Sequence, residues 1–125
     1  AIAHGSFSKD EGMIDAPIGR HPIDRKKMAV VPNGKPSRTA WRVLEHLSGA
    51  AYLDVHLLTG RTHQIRVHML SIGHPLLGDS VYNKTPGTFP RQALHSASLS
   101  FVHPITGEPL NFHAPLPEDM QNLLT

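Results

Sequence analysis

Residues 37–58 read SRTAWRVLEHLSGAAYLDVHLL, and this stretch decides the expected fold. From residue 51 to residue 58 polar and apolar side chains alternate, which is the period expected of a strand with one buried face. Residues 37–47 also have a composition typical of a strand, and Ser48-Gly49 between the two segments favours a tight turn. The sequence therefore predicts two long strands that pair antiparallel as a hairpin.

The pattern becomes helical directly after this hairpin. Apolar Ile65, Met69 and Ile72 recur at i, i+4 and i+7, which predicts a helix over residues 63–72 with Ile65 and Met69 facing the core. Thr62 is the predicted N-cap of this helix, and Gly73 is the predicted residue just beyond its end.

The remaining elements are predicted to be short, because 11 prolines and 10 glycines interrupt the chain. Pro32-Asn33-Gly34 predicts a turn in which the glycine can supply a positive φ. Strands dominate and no long helices alternate with them, so the predicted class is α+β, with a mixed, mostly antiparallel sheet and a few short helices. The further predictions are strands at 13–18, 27–31, 94–102 and 109–113, a terminal helix at 117–124 and a mobile loop at 83–90.

Composition restricts the class of protein. A chain of 125 residues with 39% hydrophobic side chains fits one globular domain, and its net charge of +2 does not by itself indicate a nucleic-acid partner. The absence of cysteine excludes disulfides and thiolate metal sites and fits a reducing compartment, so the cytoplasm is the expected location. Apolar runs of only a few residues predict no membrane span. His63 and His68 miss the i, i+4 spacing of a helical zinc pair, so no metal site is predicted.

The densest polar cluster is GRTHQIRVH at residues 60–68, where the second strand ends and the helix begins. Backbone N–H groups at a helix N-terminus favour an anion such as phosphate. Helical spacing puts Thr62, His63 and Arg66 on one stripe, with Arg66 at the edge of the buried face. A partly buried guanidinium there needs a carboxylate or phosphate partner. An ordinary salt bridge at a solvated helix start is the alternative that composition leaves open.

The same cluster carries a family resemblance. The run GRTHQIRVHM at residues 60–69, continuing through IGHPLLGD at 72–79 to Tyr82, resembles the late signature motif of RluA-type RNA pseudouridine synthases. The similarity covers nearly the whole chain, so residues 1–125 are expected to be one partial catalytic domain, the C-terminal part. Other matching segments are residues 14–20 and 24–30 upstream of the motif, and 94–97, 103–104 and 112–115 in the family's final hairpin.

The resemblance implies an isomerase that converts uridine to pseudouridine in structured RNA, either ribosomal or transfer RNA. Such enzymes break the N1–C1′ link, turn the base and rejoin it through C5, without a metal or organic cofactor. The target nucleotide must leave the base stack to be reached. By its place in the Gln-Ile-Arg run, Arg66 is implied to pair with the family's catalytic aspartate. Arg61, Thr62, His63 and Gln64 are implied to contact RNA or to shape the motif's own loop.

The sequence does not contain the family's aspartate motif, of the type His-Arg-Leu-Asp, or the tyrosine that packs on the flipped base. In the family both precede the segment that residues 1–5 resemble, so the chain is expected to begin partway through the catalytic domain and to be inactive alone. Asp24 follows His21-Pro22-Ile23, which imitates the aspartate motif, but Pro22 replaces the arginine, and a surface or salt-bridge role is expected. The most basic stretch overlaps this segment and is either a solvated face or an RNA contact: Arg20, Arg25, Lys26 and Lys27.

Two other functions stay open from the sequence. A non-catalytic RNA-binding module would use the same basic junction without chemistry. An unrelated α+β domain would pair Arg66 with a merely structural carboxylate. A truncated domain would also leave a strand edge without its neighbour, so self-association or marginal stability is expected.

Overall fold

The computed structural model of the protein describes residues 1–83, 91–96, 98–102 and 109–124. The chain divides into two compact units, residues 1–93 and 94–125. Most of the predicted loop at 83–90 and the turn between the last two strands lie outside the described residues. The elements in chain order are β1 (Ile2–His4), β2 (Glu11–Asp15), β3 (Ile18–Arg20), β4 (Met28–Val30), β5 (Arg38–Leu47), β6 (Ala50–Leu57), α1 (Gln64–Ser71), β7 (Ser98–Val102), β8 (Pro109–His113) and α2 (Glu118–Leu123).

The first unit contains a four-stranded sheet in the order β1-β6-β5-β2, and all of its strand pairs are antiparallel. Its centre is the predicted hairpin, in which Thr39 pairs with Leu57 and Leu47 with Ala50. Gly49 has φ 71°, the left-handed conformation that a tight hairpin turn requires. The prediction of the two long strands and their pairing is confirmed, and the fold is α+β.

A second, two-stranded sheet pairs β3 with β4 antiparallel. The single strand predicted at 13–18 is in fact split between β2 and β3, because Pro17 has no N–H to donate to a ladder. Gly34 in the following turn does not have a positive φ. A Cβ at Gly34 would lie 2.6 Å from the carbonyl carbon of Ile18, so glycine is needed there for close backbone approach.

Helix α1 lies in the predicted place but buries a different face. Its buried side chains are Gln64, Val67, His68 and Met69, whereas Ile72 is 37% exposed. Of the two side chains predicted to face the core, Met69 is fully buried and Ile65 is half-buried. The N-cap is His63, with a left-handed backbone, rather than Thr62. The positive φ of 82° at Gly73 fits the predicted end of the helix.

The core beneath this helix is formed by buried Ile18, Val67 and Tyr82, with Met28 packed against them. It joins the small sheet to α1, and this contact places the first turn of α1 beside Tyr82. No helix among the described residues is long and apolar enough to cross a membrane.

The second unit consists of the antiparallel hairpin β7–β8 and the helix α2, whose Met120 is fully buried. The predicted hairpin partner and terminal helix are confirmed. The strand predicted from residue 94 begins only at Ser98, since residues 94–96 have no strand structure.

Candidate functional site

The loop between β6 and α1 is held in shape by one buried amide side chain. Gln64 is 3% exposed, and its Oε1 accepts hydrogen bonds from the Thr59 hydroxyl at 2.7 Å and the Arg61 N–H at 2.9 Å. Its Nε2 donates to the carbonyl oxygen of Arg38 at 2.8 Å and to Thr39 Oγ1 at 2.9 Å. With every polar group of this amide satisfied inside the protein, Gln64 shapes the loop and has no group left for a substrate.

The same network continues through a second buried polar residue of α1. His68 is fully buried, with Nδ1 2.7 Å from Thr39 Oγ1 and Nε2 2.9 Å from the carbonyl oxygen of Ala16. A carbonyl only accepts, so Nε2 carries a proton. These bonds explain why α1 turns Gln64 and His68 inward although both are polar, since burial without partners would cost about 1–3 kcal/mol per group.

Arg66 lies at the partly buried edge of α1 and forms a two-point ion pair with Asp79. Its Nε donates to Asp79 Oδ2 at 2.8 Å and its Nη2 to Asp79 Oδ1 at 2.9 Å. The Arg66 side chain is 13% exposed and that of Asp79 is 1% exposed. In the part of the chain that the structure describes, Nη1 of Arg66 has no hydrogen-bond partner. The guanidinium therefore keeps one edge for a ligand while Asp79 fixes its orientation.

Asp79 is held as an anion by more than Arg66. Its Oδ1 also accepts hydrogen bonds from the backbone N–H groups of Val81 at 3.1 Å and Tyr82 at 3.2 Å. Burial alone would raise the pKa of Asp79, but the hydrogen bond from Arg66, the backbone donors and the charge of Arg66 outweigh it and lower the pKa. The hydrogen bond to Asp79 likewise raises the pKa of Arg66.

Tyr82 connects Arg66 to His63. The Cζ atom of Arg66 lies 5.0 Å from the centre of the Tyr82 ring, within cation–π range. The Tyr82 hydroxyl accepts the backbone N–H of Met28 at 3.0 Å and lies 2.7 Å from His63 Nδ1. Burial and the neighbouring charge of Arg66 lower the pKa of His63, while Asp79 opposes the shift. The first turn of α1 thus holds the Arg66 guanidinium and the His63 imidazole side by side, each in a fixed orientation.

A basic cleft of about 430 Å³ adjoins the same loop. Its described lining includes three cationic side chains, from Arg20, Lys35 and Arg61, together with Thr62, and contains no acidic residue. The Arg61 guanidinium donates to the carbonyl oxygen of Pro36 at 3.2 and 3.0 Å, which fixes it against the wall of the cleft. Such a cleft attracts an anionic chain such as a phosphate backbone.

Asp24 plays no part in this arrangement. Its carboxylate accepts the backbone N–H of Lys26 at 3.2 Å, and its carbonyl oxygen accepts that of Lys27 at 3.0 Å. Asp24 is an exposed turn residue, in line with the surface role expected from the sequence.

The structure brings the predicted residues into two places. Arg61 and Thr62 line the basic cleft, and His63 and Arg66 meet at Tyr82. The sequence reasoning missed the role of Asp79. Its signal was present, since a carboxylate in the same motif is the kind of partner that a partly buried arginine needs. Among the described residues no group of three or more His, Cys, Asp or Glu side chains could hold a metal ion.

Comparisons with known proteins agree on the family. A family model described as RNA pseudouridylate synthase matches residues 1–71. The ribosomal large subunit pseudouridine synthase D of Nitrosomonas europaea is 55% identical over 99% of this chain and 38% of the relative. The uncharacterized RNA pseudouridine synthase YjbO of Bacillus subtilis is 48% identical over 99% of the chain and 44% of the relative. The chain thus spans less than half the length of these relatives.

A solved structure is similar as well. That of human RNA pseudouridylate synthase domain containing 1 has a TM-score of 0.82 and 31% sequence identity, covering 92% of this chain and 52% of the human chain.

Proposed function

Because the chain belongs to the RluA-type family of RNA pseudouridylate synthases, we propose that it forms the Arg66 side of an enzyme that converts uridine in RNA to pseudouridine. The reaction breaks the N1–C1′ bond of the nucleotide and forms a C5–C1′ bond, with the proton of C5 released and one gained at N1. In this proposal residues 1–125 are one partial catalytic domain, the carboxylate that acts on the nucleotide comes from polypeptide outside it, and the isolated chain is inactive.

The observation that carries this proposal is the orientation of Arg66. Asp79 occupies its Nε and Nη2 at 2.8 and 2.9 Å, which leaves Nη1 directed away from the internal carboxylate. A second carboxylate placed against that free edge would be held ionised and oriented by a fixed guanidinium. Arg66 can therefore serve two acids, a structural one on its own chain and a catalytic one from outside.

RNA is the proposed partner, and the basic cleft is the proposed path of its backbone. Arg61 and Thr62 would contact phosphate there, assisted by Arg20 and Lys35. Two relatives named ribosomal large subunit pseudouridine synthase D support ribosomal over transfer RNA as the substrate. Such a reaction would take place in the cytoplasm.

A hybrid enzyme tests the proposal directly. This chain would replace the matching segment of the Nitrosomonas europaea relative, and pseudouridine in large-subunit RNA would be quantified by mass spectrometry. We expect the hybrid to be active and the isolated chain to be inactive. Arg66→Gln in the hybrid should lower the rate by about 10²–10³-fold, the usual effect of removing a fixed electrostatic group. Arg42→Gln is the control, since the pair that Arg42 forms with Asp54 at 3.6 Å is exposed.

Two results would contradict parts of the proposal. Activity of the isolated chain would mean that it holds its own nucleophile. A folded hybrid that binds RNA without forming pseudouridine would favour the alternative, a non-catalytic RNA-binding module.

A further inference from the structure

Building on the proposed function, we propose that His63 contacts the RNA substrate as a hydrogen-bond donor through Nε2–H, and that Tyr82 is the positioning residue that fixes this tautomer. The ligand group is an oxygen acceptor of a nucleotide, either a uracil carbonyl or a phosphate oxygen. The imidazole is then neutral and carries its proton on Nε2, a chemical form that the family motif by itself does not specify.

The hydrogen-bond pattern of the Tyr82 hydroxyl determines where its proton goes. The backbone N–H of Met28 donates to Tyr82 Oη at 3.0 Å, so this oxygen is already an acceptor. His63 Nδ1 lies 2.7 Å away and is the one described group near enough to accept the hydroxyl proton. If His63 donated instead, a proton of a tyrosine that is only 6% exposed would lack a partner, at a cost of about 1–3 kcal/mol. Nδ1 is therefore the acceptor, and the ring proton is on Nε2.

The backbone of His63 supports a role beyond helix capping. Its φ of 56° and ψ of 23° lie in the left-handed region. Among the described residues, His63 is the only one other than glycine that has a positive φ. Its side chain makes no capping hydrogen bond, so capping does not explain the conformation. Such a backbone costs about 1–3 kcal/mol and persists where the surroundings enforce it. In this conformation Nδ1 of the imidazole contacts the Tyr82 hydroxyl. Nε2 has no hydrogen-bond partner among the described residues.

The charged and titratable groups around His63 favour its neutral form. Burial of the ring and the charge of Arg66 both lower the pKa of His63, whereas Asp79 acts in the opposite direction. The Tyr82 hydroxyl donates its hydrogen bond to the neutral ring. A neutral donor does not compete with Arg66 for a carboxylate, whereas an imidazolium would repel the guanidinium. Arg66 is therefore the cation that binds an acid, and His63 is the uncharged donor that binds a nucleotide oxygen.

The tautomer can be read from the chain itself. Long-range ¹H–¹⁵N spectra of the 125-residue chain at pH 7.5 should show His63 with an unprotonated Nδ1 and a protonated Nε2. Tyr82→Phe should turn this signal into the averaged pattern of a solvent-exposed ring, for which the exposed His56 is the internal reference. A protonated Nδ1, or an imidazolium at that pH, would refute the assignment.

Two substitutions of His63 test which of its ring nitrogens contacts RNA. A glutamine at position 63 places its amide nitrogen near Nε2, whereas an asparagine places it near Nδ1. We expect His63→Gln to retain uridine-oligomer affinity within about two-fold and His63→Asn to lose about five- to ten-fold, the loss of one hydrogen bond. Wild-type affinity should be flat between pH 7 and 8.5, because a neutral ring does not titrate there. Equal losses in the two variants would overturn the proposal.

The same titration shows whether the acceptor is a base carbonyl or a phosphate oxygen. It also tests the RNA contact of the proposed function separately from the His63 assignment. A loss confined to a uridine oligomer indicates a base carbonyl, and an equal loss with an abasic ribose-phosphate oligomer indicates a phosphate oxygen. If neither oligomer shifts the Arg61 or Arg66 resonances, the RNA contact of the proposed function fails. If those resonances shift while the His63 assignment fails, only the present inference is wrong.

Discussion

At the scale of single residues, the pairing of Arg66 decides what the site can do. The sequence left open whether its partner would be an external acid or a structural one, and the structure provides Asp79 at 2.8 Å. The ion pair does not remove the arginine from a further role, because it uses Nε and Nη2 and leaves Nη1. The pair with the catalytic aspartate remains a prediction.

Asp79→Asn should destabilise the chain strongly. The amide keeps an oxygen for the backbone donors of Val81 and Tyr82 but leaves the guanidinium of Arg66 without its counter-charge. We expect a loss of about 2–4 kcal/mol in the free energy of unfolding, measured by urea denaturation. Asp15→Asn is the matched control, since its pair with Arg38 is 3.9 Å long and exposed. That change should lower the free energy of unfolding by under about 1 kcal/mol. Equal losses in both variants would show that the buried pair stabilises the chain no more than the exposed one.

At the scale of elements, the turn before β5 shows why a correct prediction can rest on the wrong cause. Pro32-Asn33-Gly34 predicted a turn, with glycine available for a positive φ. The turn is present, but Gly34 is required because the backbone of Ile18 passes beside its Cα. Contact with a neighbouring strand, rather than local conformation, therefore fixes this residue.

Gly34→Ala should accordingly disturb the junction of the small sheet. The added Cβ would meet Ile18 backbone atoms at 2.6 to 2.8 Å, and backbone cannot move aside as a flexible side chain can. We expect a loss of about 1–3 kcal/mol in thermal or urea unfolding. Gly60→Ala is the control, because a Cβ at Gly60 would have no neighbouring atom within 4 Å and the φ of this residue is not positive. A Gly34→Ala chain as stable as the Gly60→Ala chain would contradict the close-approach argument.

At the scale of the whole molecule, the strand order β1-β6-β5-β2 leaves β2 as an edge strand of the four-stranded sheet. An edge without a neighbour can pair with another copy of the chain. Self-association therefore stays a prediction, to be tested by sedimentation of the 125-residue chain.

Stability of the whole chain should rise as the pH is raised from acid to neutral. Burial and the charge of Arg66 lower the pKa of His63 from its ordinary value of 6.5, against an opposing effect of Asp79. The unfolded imidazole therefore takes up a proton around that pH more readily than the folded one, and stability falls as the pH falls through this region. Asp79 adds a further loss below its ordinary pKa of 3.8.

Urea denaturation at several pH values measures this effect. His63→Gln should remove the loss around pH 6.5 and leave the acid loss due to Asp79. A slope around pH 6.5 that this substitution does not change would show that the imidazole is not the group responsible.

The sequence by itself determined the two longest strands, the position of the first helix and the family. Strand alternation, a turn dipeptide and a helical period are local patterns, so the β5–β6 hairpin and the position of α1 could be predicted from it, and the motif from Gly60 to Tyr82 indicated the family. Tertiary structure alone decided which face of α1 is buried and which acid meets Arg66. Gln64 and His68 turn inward because their hydrogen-bond partners, such as Thr39 and Ala16, lie 25 to 52 residues away along the chain. Partners so distant in sequence leave no periodic signal, and only the fold brings them together.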